Sequence, residues 1–235
     1  MGPRRGAGAL TVARYRRGYD TAEAEAWLSR RDRRLAAWIR RLGPLGPDPR
    51  WRRSFDPVDA LARAILYQQL SGKAAATIVS RVEAALGAER LHCDTLDRVD
   101  DATLRACGVS GNKALALRDL AARERRGEIP DLRRMSTMDA DAIIAALVPV
   151  RGIGRWTVEM MLMFRLGRPD VLPVDDLGVR KGAQLLDRAG APPTPKALAA
   201  RGERWAPFRT HAALLLWRIA DTAAPARPPT PRSQE

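Results

Sequence analysis

Two glycines, Gly152 and Gly154 in the stretch PVRGIGRWTVEM (Pro149–Met160), constrain this chain more than any other feature. Before them, Ile143, Ile144, Leu147 and Val148 form one apolar stripe at helical spacing; after them, a second helical run reaches about Leu166. The glycines permit backbone conformations and close approaches denied to other residues. A helix–hairpin–helix over about residues 139–166 is predicted, with Ile153 plugging the angle between its helices. Free N–H groups at the start of the second helix, together with the helix dipole, make an anion site. A DNA phosphate held this way is gripped by backbone, without sequence preference. A tight corner between two helices with no ligand uses the same residues. Arg151, Arg155 and the overall charge favour the phosphate: Lys plus Arg number 41 against 27 for Asp plus Glu, a net charge of +14.

The remaining sequence reads as helical nearly throughout. Asp20 and Glu23 have capping-box spacing and open one helix carrying Leu28, Leu35, Trp38, Ile39 and Leu42, which GPLGPDP then breaks. Asp56-Pro57 and Thr194-Pro195 each place a cap before a proline at the first helical position. Further helices are expected from about Lys73 to Leu86, over DDATLRACG, after Ser110, after Asp139, and over APFRTHAALLLWRIAD, while GRPDVLPV is extended. There is no long alternating strand pattern and no fixed repeat. Residues 1–19 read as a flexible basic arm, 20–221 as the helical domain and 222–235 as a disordered proline-rich tail.

Several classes are excluded. No run of about 18 apolar residues suggests a membrane span, and the basic start lacks the apolar core of a signal peptide, so a cytoplasmic, nucleoid-associated protein is expected. Cys93 and Cys107 are too few for a cysteine zinc site or a four-cysteine iron–sulfur cluster. His92 and His211 are isolated and read as structural.

The segment DVLPVDDLGVRKG sets two carboxylates, Asp175 and Asp176, at a helix start. One aspartate there is ordinarily a cap. A doublet is less easily explained by capping, because adjacent carboxylates repel; one beside a cleft can act as a base or stabilise a cation.

Taken together, RAILYQQLSGKAAATI, GIGRWTVEMMLMF and LPVDDLGVRKG, over residues 60–185, resemble the helix–hairpin–helix DNA glycosylase superfamily, and within it the DNA-3-methyladenine glycosylase II branch. RWAPFRTHAALLLW extends the likeness to about residue 220. The resemblance implies an all-α, two-lobed fold with a central cleft, a monomer acting on duplex DNA containing damaged bases. It leaves no room for the N-terminal β domain of longer relatives. The damaged nucleotide is flipped out of the stack before chemistry.

The resemblance also implies roles. Asp176 is the catalytic carboxylate, with a one-residue ambiguity of register toward Asp175. It would stabilise the oxocarbenium-like sugar and orient or deprotonate water. Trp156 stands where bifunctional members carry a lysine nucleophile; an indole forms no imine, so hydrolysis and an abasic product are implied. Trp156, Trp217 and Tyr67 would line the base pocket, an indole face attracting a cationic alkylated purine. Gln68, Gln69 and Ser71 fall at the DNA wedge, with Gln69 the best match and Leu70 the alternative. Gly152, Gly154, Arg155 and Thr157 would hold phosphate, and the residues around Lys113 a second backbone contact. No cofactor is implied, except that the carbonyls of Val148, Val150 and Ile153 would suit a structural Na+ or K+. Two other readings remain: a non-catalytic DNA-binding module, which has no need of Asp176, and a bifunctional oxidised-base enzyme, against which Trp156 argues.

Overall fold

The computed structural model describes residues 15–223, and every regular element among them is helical. In chain order these are α1 (Thr21–Arg31), α2 (Arg33–Leu42), α3 (Pro57–Tyr67), α4 (Gly72–Leu86), α5 (Cys93–Leu96), α6 (Asp101–Ala106), α7 (Gly111–Arg125), α8 (Leu132–Met135), α9 (Ala140–Leu147), α10 (Arg155–Phe164), α11 (Leu177–Asp187), α12 (Pro195–Gly202) and α13 (Arg209–Thr222). Short 3-10 turns cover Pro49–Arg52 and Glu203–Trp205. Among the described residues no helix is long and apolar enough to cross a membrane.

The helix starts follow local chemistry. Asp56 accepts the Val58 N–H at 2.9 Å ahead of Pro57, and Asp139 accepts the Ala142 N–H at 2.7 Å. Thr194 accepts from Ala197 at 3.2 Å ahead of Pro195. Each side chain satisfies an N–H that the first turn leaves without an internal partner. Ser110 occupies the cap position of α7 but makes no side-chain capping bond.

The chain divides into two compact units. One contains Ser54–Gly154 together with Tyr15 and Arg16, the other Arg17–Arg53 together with residues 155–223. The first holds α3 to α9 around buried Leu61, Ile65, Leu66, Leu104, Leu117, Leu120 and Leu147. The second holds α1, α2 and α10 to α13 around buried Leu28, Leu35, Val158, Leu162, Trp205, Leu215 and Leu216. In it α11 and α13 approach at backbone distance: a β-carbon on Gly182 would lie 2.0 Å from the Leu216 carbonyl oxygen. Only glycine allows that crossing.

The structure corrects four expectations. The single helix expected after Asp20 is two, because Asp32 adopts an extended conformation and caps α2 through the N–H groups of Arg34 and Leu35 at 3.1 and 3.2 Å. Residues 15–19 are not an arm: the Arg17 guanidinium donates to the carbonyls of Arg165, Arg50 and Arg53, and Tyr15 N–H donates to Ser136 O at 2.7 Å. Residues 1–14 and 224–235, the rest of the expected arm and nearly all of the tail, lie outside the described residues; Thr222 still belongs to α13. The histidines are not isolated. His92 lies 2.5 Å from Glu124 and 3.2 Å from Asp56, while buried His211 lies 3.5 Å from Glu25 and 3.4 Å from the Tyr19 hydroxyl. Burial pushes the His211 pKa down, with Glu25 opposing.

Asp32 ties the second unit together. Besides capping α2 it accepts the Trp205 indole N–H at 3.0 Å and pairs with the Arg201 guanidinium at 2.5 Å. Burial alone would favour the neutral acid, but the Trp205 and Arg201 bonds hold the Asp32 carboxyl below the usual carboxylate range. Removing it takes the acceptor from the buried Trp205 indole N–H and from two N–H groups of α2, and leaves the half-buried Arg201 guanidinium with Asp187 alone at 3.0 Å. Asp32→Ala should therefore lower unfolding free energy by about 3 kcal/mol in urea titrations at neutral pH. The carboxylate's stabilisation exists above the unfolded-state pKa and is lost as pH falls through the lower native value, so the deficit of the variant should shrink with acidification.

Candidate active site

The carboxylate of Asp176 is the centre of the second unit's polar chemistry. Its Oδ1 caps α11 by accepting the Val179 N–H at 2.8 Å and also accepts the Trp217 indole N–H at 2.8 Å. Its Oδ2 accepts the Trp156 indole N–H at 2.8 Å. A carboxylate offers about four lone-pair sites. Three N–H donors therefore fix the plane of the group and leave one site, on Oδ2, for anything that approaches. Asp175 is exposed and takes part in none of these bonds; the two tryptophans converge on Asp176.

Both indoles direct their N–H at the Asp176 carboxylate. Trp156, the second residue of α10, is 49% exposed. Trp217, on α13, is partly buried and stacks on Phe164 with ring centroids 5.8 Å apart and planes 18° from parallel. The Arg50 guanidinium lies 4.2 Å from the centre of the Phe164 ring, a cation–π contact that steadies the stack. Beneath the first turn of α10, Glu159 is buried and pairs with Arg155 at 3.0 Å. Burial pushes its carboxyl above the usual range against the pull of Arg155, with Asp175 and Asp176 adding to the rise.

In the first unit the hairpin turn is held from two helices. Arg151 N–H donates to Asp119 Oδ2 at 2.8 Å on α7, and Asp119 is itself paired with Arg123 at 3.0 Å. The Gly152 carbonyl accepts the Gln68 amide at 2.8 Å from the end of α3. Lys113 pins that end, donating to the carbonyls of Leu66 and Gln68 at 2.7 and 2.8 Å. Gln68 thus turns toward the hairpin, whereas Gln69 is exposed and held at φ 58°. Left-handed backbone at a non-glycine residue stores strain, which marks functional turns. Gln68, Gln69, Ser110, Asn112, Lys113, Arg151 and Gly152 line one cavity of about 370 Å³. Ser71 caps α4 through Ala74 N–H at 3.3 Å, and Tyr67 and Leu70 stand exposed beside it. Val150 and Ile153 are buried, and the Val150 carbonyl accepts the Ile153 N–H at 3.0 Å.

The family described as HhH-GPD superfamily base excision DNA repair protein matches residues 62–208. The chain belongs to that superfamily. It is 35% identical to the DNA-3-methyladenine glycosylase 1 of Schizosaccharomyces pombe, over 88% of this chain and 92% of that one. It is 30% identical to the DNA-3-methyladenine glycosylase 2 of Escherichia coli, over 75% of this chain and 62% of that one. Among solved structures, an S. pombe 3-methyladenine DNA glycosylase in complex with abasic DNA is similar with a TM-score of 0.73 and 35% identity, covering 86% of this chain and 98% of that one. A DNA-3-methyladenine glycosidase from Bacillus halodurans has a TM-score of 0.76 and 36% identity, covering 86% and 91%. The all-helical fold expected from the sequence is the fold of these proteins.

Sequence reasoning missed Glu159, although its i,i+4 spacing from Arg155 is a visible signal. It missed Asp119, whose i,i+4 pairing with Arg123 is visible but whose bond to Arg151 lies 32 residues away, and Phe164, whose partner lies 53 residues away. The two hairpin glycines differ in kind. Gly152 has φ +78° and a β-carbon there would lie 3.3 Å from that of Ala116, while one on Gly154 would meet nothing within 4 Å. Gly152→Ala should cost about 1–2 kcal/mol in thermal or urea unfolding. Gly154→Ala should stay within about 0.5 kcal/mol of wild type, yet weaken duplex binding by filling the space a phosphate would use.

Proposed function

We propose that this chain is a monofunctional DNA glycosylase that hydrolyses the N-glycosidic bond of alkylated, 3-methyladenine-type bases flipped out of duplex DNA, leaving an abasic site. The observation that carries the reading is the Asp176 carboxylate, oriented by two indole N–H donors with one lone pair open on Oδ2. As the base leaves C1′, positive charge grows on the sugar. A carboxylate already fixed in orientation stabilises that charge without reorganising at the moment of reaction. The same oxygen can orient the attacking water. The exposed indole of Trp156 suits an electron-poor, cationic purine, for which cation–π attraction is on the order of 1–2 kcal/mol when water is excluded.

Hydrolysis without a covalent intermediate follows from where the lysines stand. The chain has four, Lys73, Lys113, Lys181 and Lys196, and position 156 is tryptophan. Lys113 is committed to the α3 carbonyls, and burial pushes its pKa down. For duplex binding we assign Arg151, Gly152 and Gly154 to the phosphate grip, Arg155 and Thr157 to the turn that follows, and Gln69 to the gap left by the flipped base. Gln68 serves as a support of the hairpin in this reading. The neutral carbonyls of Val148, Val150 and Ile153 are a donor set suited to a monovalent cation, and Val150 retains a lone pair after bonding Ile153. The protein would act as a monomer, alongside the cellular DNA.

The decisive test is release of free base from methylated duplex. Wild type should release 3-methyladenine, and Asp176→Asn should slow single-turnover release by about 10²- to 10³-fold. Undiminished release by Asp176→Asn sinks the assignment, and a borohydride-trapped protein–DNA adduct would refute hydrolysis. Duplex affinity should fall with rising salt, and Arg151→Ala should reduce the slope of log K against log salt by about 1.

A further inference from the structure

Helix α11 begins with a residue that its own helix does not favour. Gly178 is the second residue of α11, where alanine is the better helix former. Its backbone does not require glycine, since it is absent from the positions with positive φ. The reason is space. A β-carbon at Gly178 would lie 2.7 Å from Cδ1 and 2.9 Å from Nε1 of Trp217, and 3.1 Å from Oδ1 of Asp176. Those are the donor end of the indole and the oxygen that accepts its hydrogen bond at 2.8 Å. The indole has little freedom to retreat, because it stacks on Phe164, which also carries the Arg50 guanidinium.

We propose that Gly178 is a positioning residue for the Asp176 carboxylate: the missing side chain is the gap through which the Trp217 indole docks onto Oδ1. The inference rests on the reading of Asp176 as the reacting carboxylate and adds what holds it in register. The two glycines of GVRKG then divide the work. Gly182 faces the Leu216 backbone and sets the crossing of α11 and α13. The three atoms nearest a β-carbon on Gly178 are side-chain atoms of Trp217 and Asp176. A methyl group at 178 forces the indole off Oδ1 or rotates the carboxylate away from the Val179 and Trp156 donors.

The experiment compares wild type, Gly178→Ala, Trp217→Phe, the double variant and Asp176→Asn. It reads the melting temperature, affinity for a duplex with an abasic-site analogue, the single-turnover rate of 3-methyladenine release, and the indole N–H resonances. Gly178→Ala should fold with a melting temperature lowered by no more than several degrees and bind the duplex within about twofold, but release base about 10- to 100-fold more slowly, the scale of one hydrogen bond to a charged group. The Trp217 N–H resonance should shift. In the Trp217→Phe background, adding Gly178→Ala should cost less than about twofold, since the bond it disturbs is already gone. A wild-type rate in Gly178→Ala, or costs that multiply in the double variant, overturns the proposal. Should Gly178→Ala fail to fold, Trp217→Phe decides: it removes the same N–H without adding an atom, and a wild-type rate there overturns the proposal equally. Asp176→Asn separates the two layers. If it is slow while Gly178→Ala is not, only the positioning role falls; if it is fast, the reading of the site falls with it.

Discussion

The close approach of α11 and α13 is the constraint on which the site depends. Gly182 lets the two backbones meet, and everything at the N-terminal end of α11 follows from that crossing. It brings Trp217, on one helix, to the residue that caps the other. The cap is thereby recruited into a second task. Asp176 accepts Val179 N–H as any capping aspartate does, and this bond is what keeps its remaining lone pairs aimed away from the helix. A local structural device thus fixes the direction of a carboxylate, at no cost in flexible side-chain entropy beyond that of an ordinary cap.

The hairpin in the first unit shows the same economy. Its main chain is anchored on both sides of the Arg151–Gly152 peptide, by Asp119 from α7 and by Gln68 from α3. Lys113 then fixes the end of α3 from which Gln68 reaches. The turn is thus restrained before any anion arrives. A grip built from backbone N–H groups gains most from such restraint, because ordering costs are met in folding and not in binding.

Much of this architecture was visible in the chain. Asp-Pro and Thr-Pro junctions announced helix starts because capping is local chemistry, and the glycine pair announced the hairpin for the same reason. Asp176, Trp156 and Trp217 were found through resemblance; their mutual geometry was not, since it depends on helices brought together by tertiary packing. The break at Asp32 was invisible. Nothing in WLSRRDRRLAAW interrupts helical spacing, and the partners that stabilise the break, Arg201 and Trp205, are far along the chain. Gln68, placed by the resemblance at the DNA wedge, donates its amide to a carbonyl 84 residues on, a bond that no local pattern announces.

The division of the chain between its units bears on the order in which it is made. The first unit's α3 to α9 form an unbroken stretch, so all their partners leave the ribosome together and that unit can close early. The second is split. Its α1 and α2 emerge near the start, yet Asp32 meets Trp205 across 173 residues of chain. Until then a basic, apolar-faced helix pair travels without the carboxylate's partners and without the core that covers it. The nascent protein therefore carries a cationic segment without its core through most of its synthesis, and completes its second unit last.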